Sequence, residues 1–325
     1  MKRLALAVAL LALATVPFWV GNSYYVNIAT QILIFAVLAL GLNVLVGYAG
    51  LVTLGHAALF GVSAYAAATL INAGHGSVVV AIGAAVATLV VTSIFAVLAL
   101  RGTGLGFVMI TVALGQIVWG IAYRWISLTN GDNGISITAR PAPFGLSLTS
   151  APAFYWATLV VFLVAVGAMA MFVASPFGAA LRGTRDQARR MSALGYNVWL
   201  TRFLAFLFSG FWSGVAGLLY LYYNQFVSPQ TVALSASAEA LLMVIAGGTA
   251  TLLGPIAGAA LLIIMKDVAS AYIERWNFVL GAIFVVIVVF MPEGLVPGSV
   301  RLWRWAIASL RSRATAPALG RESEP

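Results

Sequence analysis

Between Ser175 and Arg202 the chain reads SPFGAALRGTRDQARRMSALGYNVWLTR, five arginines and one acid set between two long apolar stretches. Charged side chains at the centre of a bilayer cost several kcal/mol, so this segment lies outside the lipid while its flanks lie within it. Its pattern is helical. Ser175 is placed to cap, Pro176 suits the first turn and Gly195 suits the stop. Phe177, Leu181, Ala188, Met191 and Leu194 recur at helical spacing, with Arg182, Asp186, Arg189 and Arg190 largely on other faces. The segment is expected to be a short amphipathic helix between two membrane spans.

The rest of the chain agrees. Hydrophobic residues make up 62% and charged residues 8%, against about a quarter charged in soluble domains. An integral membrane protein follows. The net charge of +9 does not point to nucleic acid, because the basic residues flank apolar spans and do not interleave with aromatics in a polar domain. Cysteine is absent, which excludes disulfides and thiolate metal sites.

Apolar stretches occur at about 4–20, 26–46, 56–72, 78–100, 105–125, 153–174, 202–222, 236–250, 251–272 and 277–290. The expected fold is therefore all-α, a polytopic transmembrane bundle of about ten spans over residues 1–296, followed by a basic tail at 297–325. With the N-terminus inside, ten crossings place Lys2, Arg3, Arg101, the five arginines from Arg182 to Arg202 and the five from Arg301 to Arg321 on the cytoplasmic side. Arg124, Arg140, Lys266 and Arg275 fall on or near the other side. That bias predicts both termini in the cytoplasm. The first stretch, Lys2 and Arg3 followed by LALAVALLALA, also fits a cleavable signal peptide. Nine further spans and the interfacial residues Pro17, Phe18 and Trp19 favour an uncleaved helix. The tail, with RLWRWAIASLRSR at 301–313, suits an anionic inner leaflet.

Two glycine-rich interruptions break the apolar pattern. One is GLNVLVGYAGLVTLGHAALFGVSAY at 41–65; the other is AGGTATLLGPIAG at 246–258. Broken segments of this kind mark either a transport path or close helix packing through small residues. Asn43, Thr53 and His56 cluster in the first and are candidate path residues, as are Gln116 and Glu239, with Trp119 a weaker one. Glu239 also suits pairing with a neighbouring helix, and Lys266, beside Asp267, is expected to reach the outer interface by snorkelling.

Enzymatic chemistry finds little support. The histidines are His56 and His75, and neither opens an HExxH motif. His56 and Ser63 share a helical face but stand roughly 10 Å apart along a helix, too far for a dyad. Neither Lys2 nor Lys266 sits in GxxxxGK[ST], so any ATP-driven work needs another subunit.

The run ALGLNVLVGYAGLVTLGHAALFGVSAYAAA strongly resembles the signature of branched-chain amino-acid ABC transporter permeases, specifically the M-like subunit of the Liv type. The likeness continues in order through RGTGLGFVMITVALGQI, the turn LTNGDNGI, the stretch ALGYNVWLTRFLAFLFSGFWSGVAGLLY and EALLMVIAGGTATLLGPIAGAALL. It departs in lacking a clean EAA sequence in the arginine segment and in carrying Glu293 within MPEGL, where related chains often have a basic residue.

The resemblance implies a type II-like importer permease in the bacterial inner membrane. It would be paired with a paralogous permease subunit, two ATP-binding-cassette ATPases and a periplasmic solute-binding protein, and embedded in membrane lipid. The chain itself would bind no cofactor, ATP being used by the partner subunits. The implied cargo is leucine, isoleucine or valine. Similar permeases for urea, short amides or aromatic acids, and an ion-coupled secondary transporter, are the alternatives. The resemblance also gives segment 175–202 a role in ATPase coupling. Phe177, Leu181, Met191 and Leu194 would supply an apolar grip, Arg182, Arg185, Arg189 and Arg190 would orient against acidic partners, Asp186 would pair along the helix and Gly195 would end it. Without the resemblance, the same pattern reads as a solvated basic helix.

Overall fold

The computed structural model describes residues 22–138 and 150–272, together with scattered positions between 278 and 298. The expected first span at 4–20 and the basic tail lie outside the described residues, as does most of 277–290.

Helix α1 (Ser23–Asn43) starts where the Asn22 side chain accepts a hydrogen bond from the amide of Tyr24 at 3.0 Å, and continues into a π-helical turn at Val44–Ala49. Gly50, at φ 69°, ends it in the left-handed conformation that glycine adopts without steric cost. From Ala36 to Ala49 every residue is buried. A helix apolar all round is one surrounded by others, and α1 is packed by α6 (Ala151–Ala174), α8 (Val198–Asn224), α9 (Leu234–Gly247) and α10 (Gly254–Tyr272).

Helices α2 (His56–Asn72) and α3 (Ser77–Ala99) pack on α8 through small residues. Gly210 of α8 faces Thr92 and Gly214 faces Thr88, with Gly217 set directly against the carbonyl of Phe60. Close approach of this kind is the usual way for membrane helices to gain contact, since lipid offers no hydrophobic drive for association. Threonines on α3 spend their hydroxyls inside their own helix, Thr88 to the Ala84 carbonyl at 2.7 Å and Thr92 to that of Thr88 at 2.6 Å.

The outward faces are apolar stripes. Val79, Ile82, Val86, Val90 and Ile94 lie exposed at helical spacing along α3, and Val160, Val164 and Met171 along α6. Helix α4 (Leu105–Arg124) exposes Leu105, Met109, Ile117 and Ile121. Such contiguous apolar surface is suited to lipid or to another subunit.

Five helices among the described residues are long and apolar enough to cross a membrane, at 23–49, 77–99, 105–124, 151–174 and 198–224. Helix α2 has 17 residues and α9 has 14, short of the roughly 20 needed for a perpendicular span. The expected breakpoints are largely met: α2 occupies the stretch read as 56–72, and the apolar run from 236 to 272 divides into α9 and α10.

One end of the bundle carries helix α7 (Pro176–Ala193). At the opposite end, a short helix α5 (Ile126–Thr129) leads through LTNGDNGI to a two-residue strand β1 (Ile135–Ser136), which pairs antiparallel with β2 (Phe226–Val227). Gly134, at φ 67°, lies against the Val227 carbonyl, where a side chain would not fit. The Asn72 side chain donates to the Ser136 carbonyl at 3.2 Å, and the Tyr24 hydroxyl meets Asp267 at 2.5 Å.

Candidate functional site

Two stretches of irregular backbone enter the bundle from opposite ends. Residues 50–55 leave the π-turn of α1 and reach the start of α2, where His56 contacts Ser209, eleven residues into α8. At about 1.5 Å per residue, α2 begins roughly 16 Å in from the start of α8. From the other end, β2 sits beside Ser136 at the finish of α2, while Val232, closing the 3-10 turn Pro229–Val232, packs on Gly61. Gly61 lies eleven residues before Asn72, so this second segment descends by roughly 16 Å.

The two helices that follow meet at their first turns: the amide of Ala57 in α2 donates to Ser237 Oγ in α9 at 3.1 Å. Both N-termini therefore converge inside the bundle. Helix α9 has Ala233 at its N-cap position and no side-chain cap, although Ser, Thr, Asp or Asn is the usual residue there.

Beside this junction lies a cavity of about 260 Å³, slightly below the usual size of drug-ligand sites and suited to a small molecule. Its lining includes the polar Ser228, Gln230, Thr231 and Ser235 and the apolar and aromatic Phe35, Leu38, Phe60 and Tyr220. Phe60 and Tyr220 have ring centroids 5.1 Å apart, and Phe35 and Phe60 stack at 6.1 Å. Glu239 and Lys266 complete the lining, with Nζ and Oε2 3.4 Å apart.

Among the path candidates, Glu239 lines this cavity and the others do not. Asn43 is buried at the end of α1, where its Oδ1 accepts from the Ala250 amide at 3.0 Å and its Nδ2 donates to the Thr251 carbonyl at 2.8 Å. It thereby holds a turn in which Ala250 adopts φ 58°. Thr53 is buried and accepts from the Gly55 amide at 3.2 Å. His56, fully buried, lies 2.8 Å from Ser209 Oγ, and that hydroxyl donates to the Gly41 carbonyl at 2.6 Å. The Ser209 proton being committed, His56 Nε2 is the donor, and the ring is the Nε2–H tautomer. Gln116 is exposed on α4. Lys266, expected to reach the outer interface by snorkelling, has its Nζ 3.4 Å from Glu239 Oε2 on the neighbouring helix. Sequence reasoning also missed Tyr220, Gln230 and Thr231, which no local pattern distinguishes from core or loop.

The arginine segment forms α7, started by Ser175 Oγ accepting from the Gly178 amide at 3.1 Å and followed by Gly195 at φ 88°. The single continuous helix that was expected is broken at Gln187, with φ −150° and ψ 87°. Leu181 does not offer an outward grip: it is fully buried against its own chain. Three arginines reach carbonyls, Arg182 to Val173 at 2.9 Å, Arg202 to Thr184 at 3.0 Å and Arg185 to Gly47 in the π-turn of α1. Phe177 packs edge-on to Phe172, with centroids at 5.2 Å, and Met191 lies over Gly183. Asp186, Arg189, Arg190 and Leu194 remain exposed.

A lipid-matched bundle with broken helices around a polar cavity defines a polytopic membrane protein of transporter type. The chain belongs to the family described as branched-chain amino acid transport system / permease component, whose model matches residues 24–288. It is similar to the high-affinity branched-chain amino acid transport system permease protein LivM of Escherichia coli (strain K12), at 31% identity over 91% of this chain and 75% of that protein. LivM of Salmonella typhimurium is 30% identical over the same shares. LivH of Escherichia coli (strain K12), a permease protein of the same transport system by name, is 24% identical over 80% of this chain and 90% of its own length. No solved structure matches the chain.

Proposed function

We propose that this chain is a permease subunit of an ATP-driven importer that carries branched-chain amino acids across the bacterial inner membrane. The observation that carries the reading is the meeting of two helix starts at a polar cavity, in a chain whose family is a permease component. Similarity to both LivM and LivH supports a paralogous permease as partner. Two ATP-binding-cassette ATPases and a solute-binding protein would complete the assembly, with ATP used by those ATPases and no cofactor held here.

Helix α7 would be the element that docks an ATPase, with both termini and residues 175–202 in the cytoplasm. Exposed Arg189, Arg190 and Leu194, together with Met191, would form the contact. Arg182 and Arg185 would act inward. The second of these touches the π-turn at Gly47, and Asn43, one turn earlier, holds the 250–251 turn. A push on α7 would thus reach α1 and the hairpin of α9 and α10 through hydrogen bonds.

Reconstitution tests the assignment. Proteoliposomes holding both permeases and the ATPases, with the binding protein and internal ATP supplied, should accumulate labelled leucine, isoleucine or valine, and should fail without this subunit. Accumulation by this chain alone, driven by a proton or sodium gradient, would make it a secondary transporter.

A further inference from the structure

We propose that the cleft between α2 and α4, at the end of the bundle away from α7, binds a membrane phospholipid by its ester end. One ester carbonyl accepts from the Tyr65 hydroxyl, the first part of the acyl chain fills the slot beside it, and the phosphate lies near Arg124. This is a lipid site, separate from the cavity at α9.

The lining is the first observation. The slot holds about 310 Å³, within the usual range of small-molecule sites. Val62 and Ala66 of α2, Val118 and Ile121 of α4 and Leu128 of α5 make it apolar, and among the described residues none that is charged contributes. A free amino acid would have to shed water from both its charges there. A hydrocarbon chain would not.

The second observation is Tyr65, which lines the same slot. It is 8% exposed, and its hydroxyl has no hydrogen-bond partner among the described residues. The other hydroxyls of the lining are committed, that of Thr69 to the Ala66 carbonyl at 2.9 Å and that of Thr129 to the Ala122 and Trp125 carbonyls at 2.8 Å each. A buried hydroxyl left unpaired is costly. Water is a poor remedy, because it needs about two to four polar partners and the slot offers one uncommitted hydroxyl. A carbonyl carried on an apolar chain accepts that one bond and buries the rest.

The third is the level of the slot. Tyr123, Arg124 and Trp125 close α4 with exposed aromatic and basic side chains, the residue types that mark a membrane interface. Ile121 and Val118 lie roughly 4–9 Å below Arg124 along the helix, a depth that crosses from head groups into hydrocarbon. Arg124, three residues past Ile121 and so its neighbour on the helix surface, supplies a guanidinium for phosphate. A second cavity of about 500 Å³ adjoins the slot through Thr69 and Leu128, and its polar Asn72, Ser127 and Asn130 give room for the rest of the head group.

Photo-crosslinking of the full-length chain in its purified, detergent-solubilised complex tests the site, with phosphatidylglycerol carrying a diazirine near the start of one acyl chain as the probe. Crosslinks should concentrate on residues 62–69 and 118–128 at lipid-to-protein ratios too low to mark the exposed stripe of α3 at Val86 and Val90. Unlabelled diester phosphatidylglycerol should compete about fivefold better than its diether analogue, which lacks the carbonyls, the worth of one neutral hydrogen bond. Tyr65→Phe should make the two competitors equal. Ala66→Phe, which fills the slot, should remove its crosslinks while those on α3 at high lipid persist. Equal labelling of slot and stripe in the wild type overturns the site, and so does equal competition by diester and diether. Capture of another subunit in place of lipid, by a photoreactive maleimide on Leu128→Cys, would overturn it too.

Discussion

Arg185 on helix α7 donates to the main-chain carbonyl of Gly47, so a charged side chain from the arginine segment ends inside the π-turn of the most buried helix. The same guanidinium arm fills the space over Gly50, where an added Cβ would stand 2.8 Å from Arg185 Cγ. Removing the bond by Arg185→Met should leave the ATPase bound and hydrolysing while lowering uptake by about tenfold, the order expected for one charged hydrogen bond. The ratio of ATP hydrolysed to leucine imported reads this out directly. An unchanged ratio would show that the bond is structural only.

The arginine helix has an inner and an outer side, and substitutions should separate them. Leu181→Asp puts a carboxylate where the structure is fully buried, so the subunit should fail to accumulate in membranes. Leu194, 66% exposed, should tolerate Asp with normal accumulation, yet the ATPase should no longer co-purify. Membrane blots and pull-downs distinguish the two.

Ser209→Ala removes both the donor to the Gly41 carbonyl and the partner of His56 Nε2. The loss should cost about 1–3 kcal/mol, the usual penalty of a buried polar group left unmatched. Thermal inactivation of the purified complex measures it. Transport per folded complex should change little, since none of these atoms lines the cavity.

Gly258 presses on the Met243 carbonyl across the seam of α9 and α10. Gly258→Val should therefore prevent the hairpin from closing and abolish stable expression. Gly106→Ala meets nothing within 4 Å and should behave as wild type.

Single cysteines can be introduced freely because the chain has none. An impermeant maleimide should label Asn133→Cys in intact cells and leave Ser192→Cys protected until the membrane is opened. The opposite pattern would invert the orientation drawn from the arginine bias.

Much of the helical layout was legible from the chain, because lipid forces apolar runs and polar breaks into sharp relief. The start and stop of α7 were marked by Ser175, Pro176 and Gly195, and the division of 236–272 by its glycines. The break at Gln187 was not marked, since glutamine is a good helix former. Nor was the inward turn of Leu181: a helical wheel shows which residues share a face but not whether that face meets the protein's own core. The segment 228–233 has the composition of an exposed loop, and only its contact between Val232 and Gly61 reveals a descent into the bundle. Glu239 was recognisable as an intramembrane acid, whereas its pairing with Lys266 depends on an antiparallel hairpin that no local pattern specifies.

The seam between α9 and α10 is backbone against backbone, Gly247 on Gly254 and Gly258 on Met243. With backbones that close at the glycines, the two helices have little room to slide past one another and would swing as one leaf. Glu239 and Lys266 ride on that leaf together. The aromatic part of the cavity lining, Phe35 on α1, Phe60 on α2 and Tyr220 on α8, is carried by other helices. The charged and the aromatic parts of the cavity lining would then shift relative to one another whenever that leaf swings.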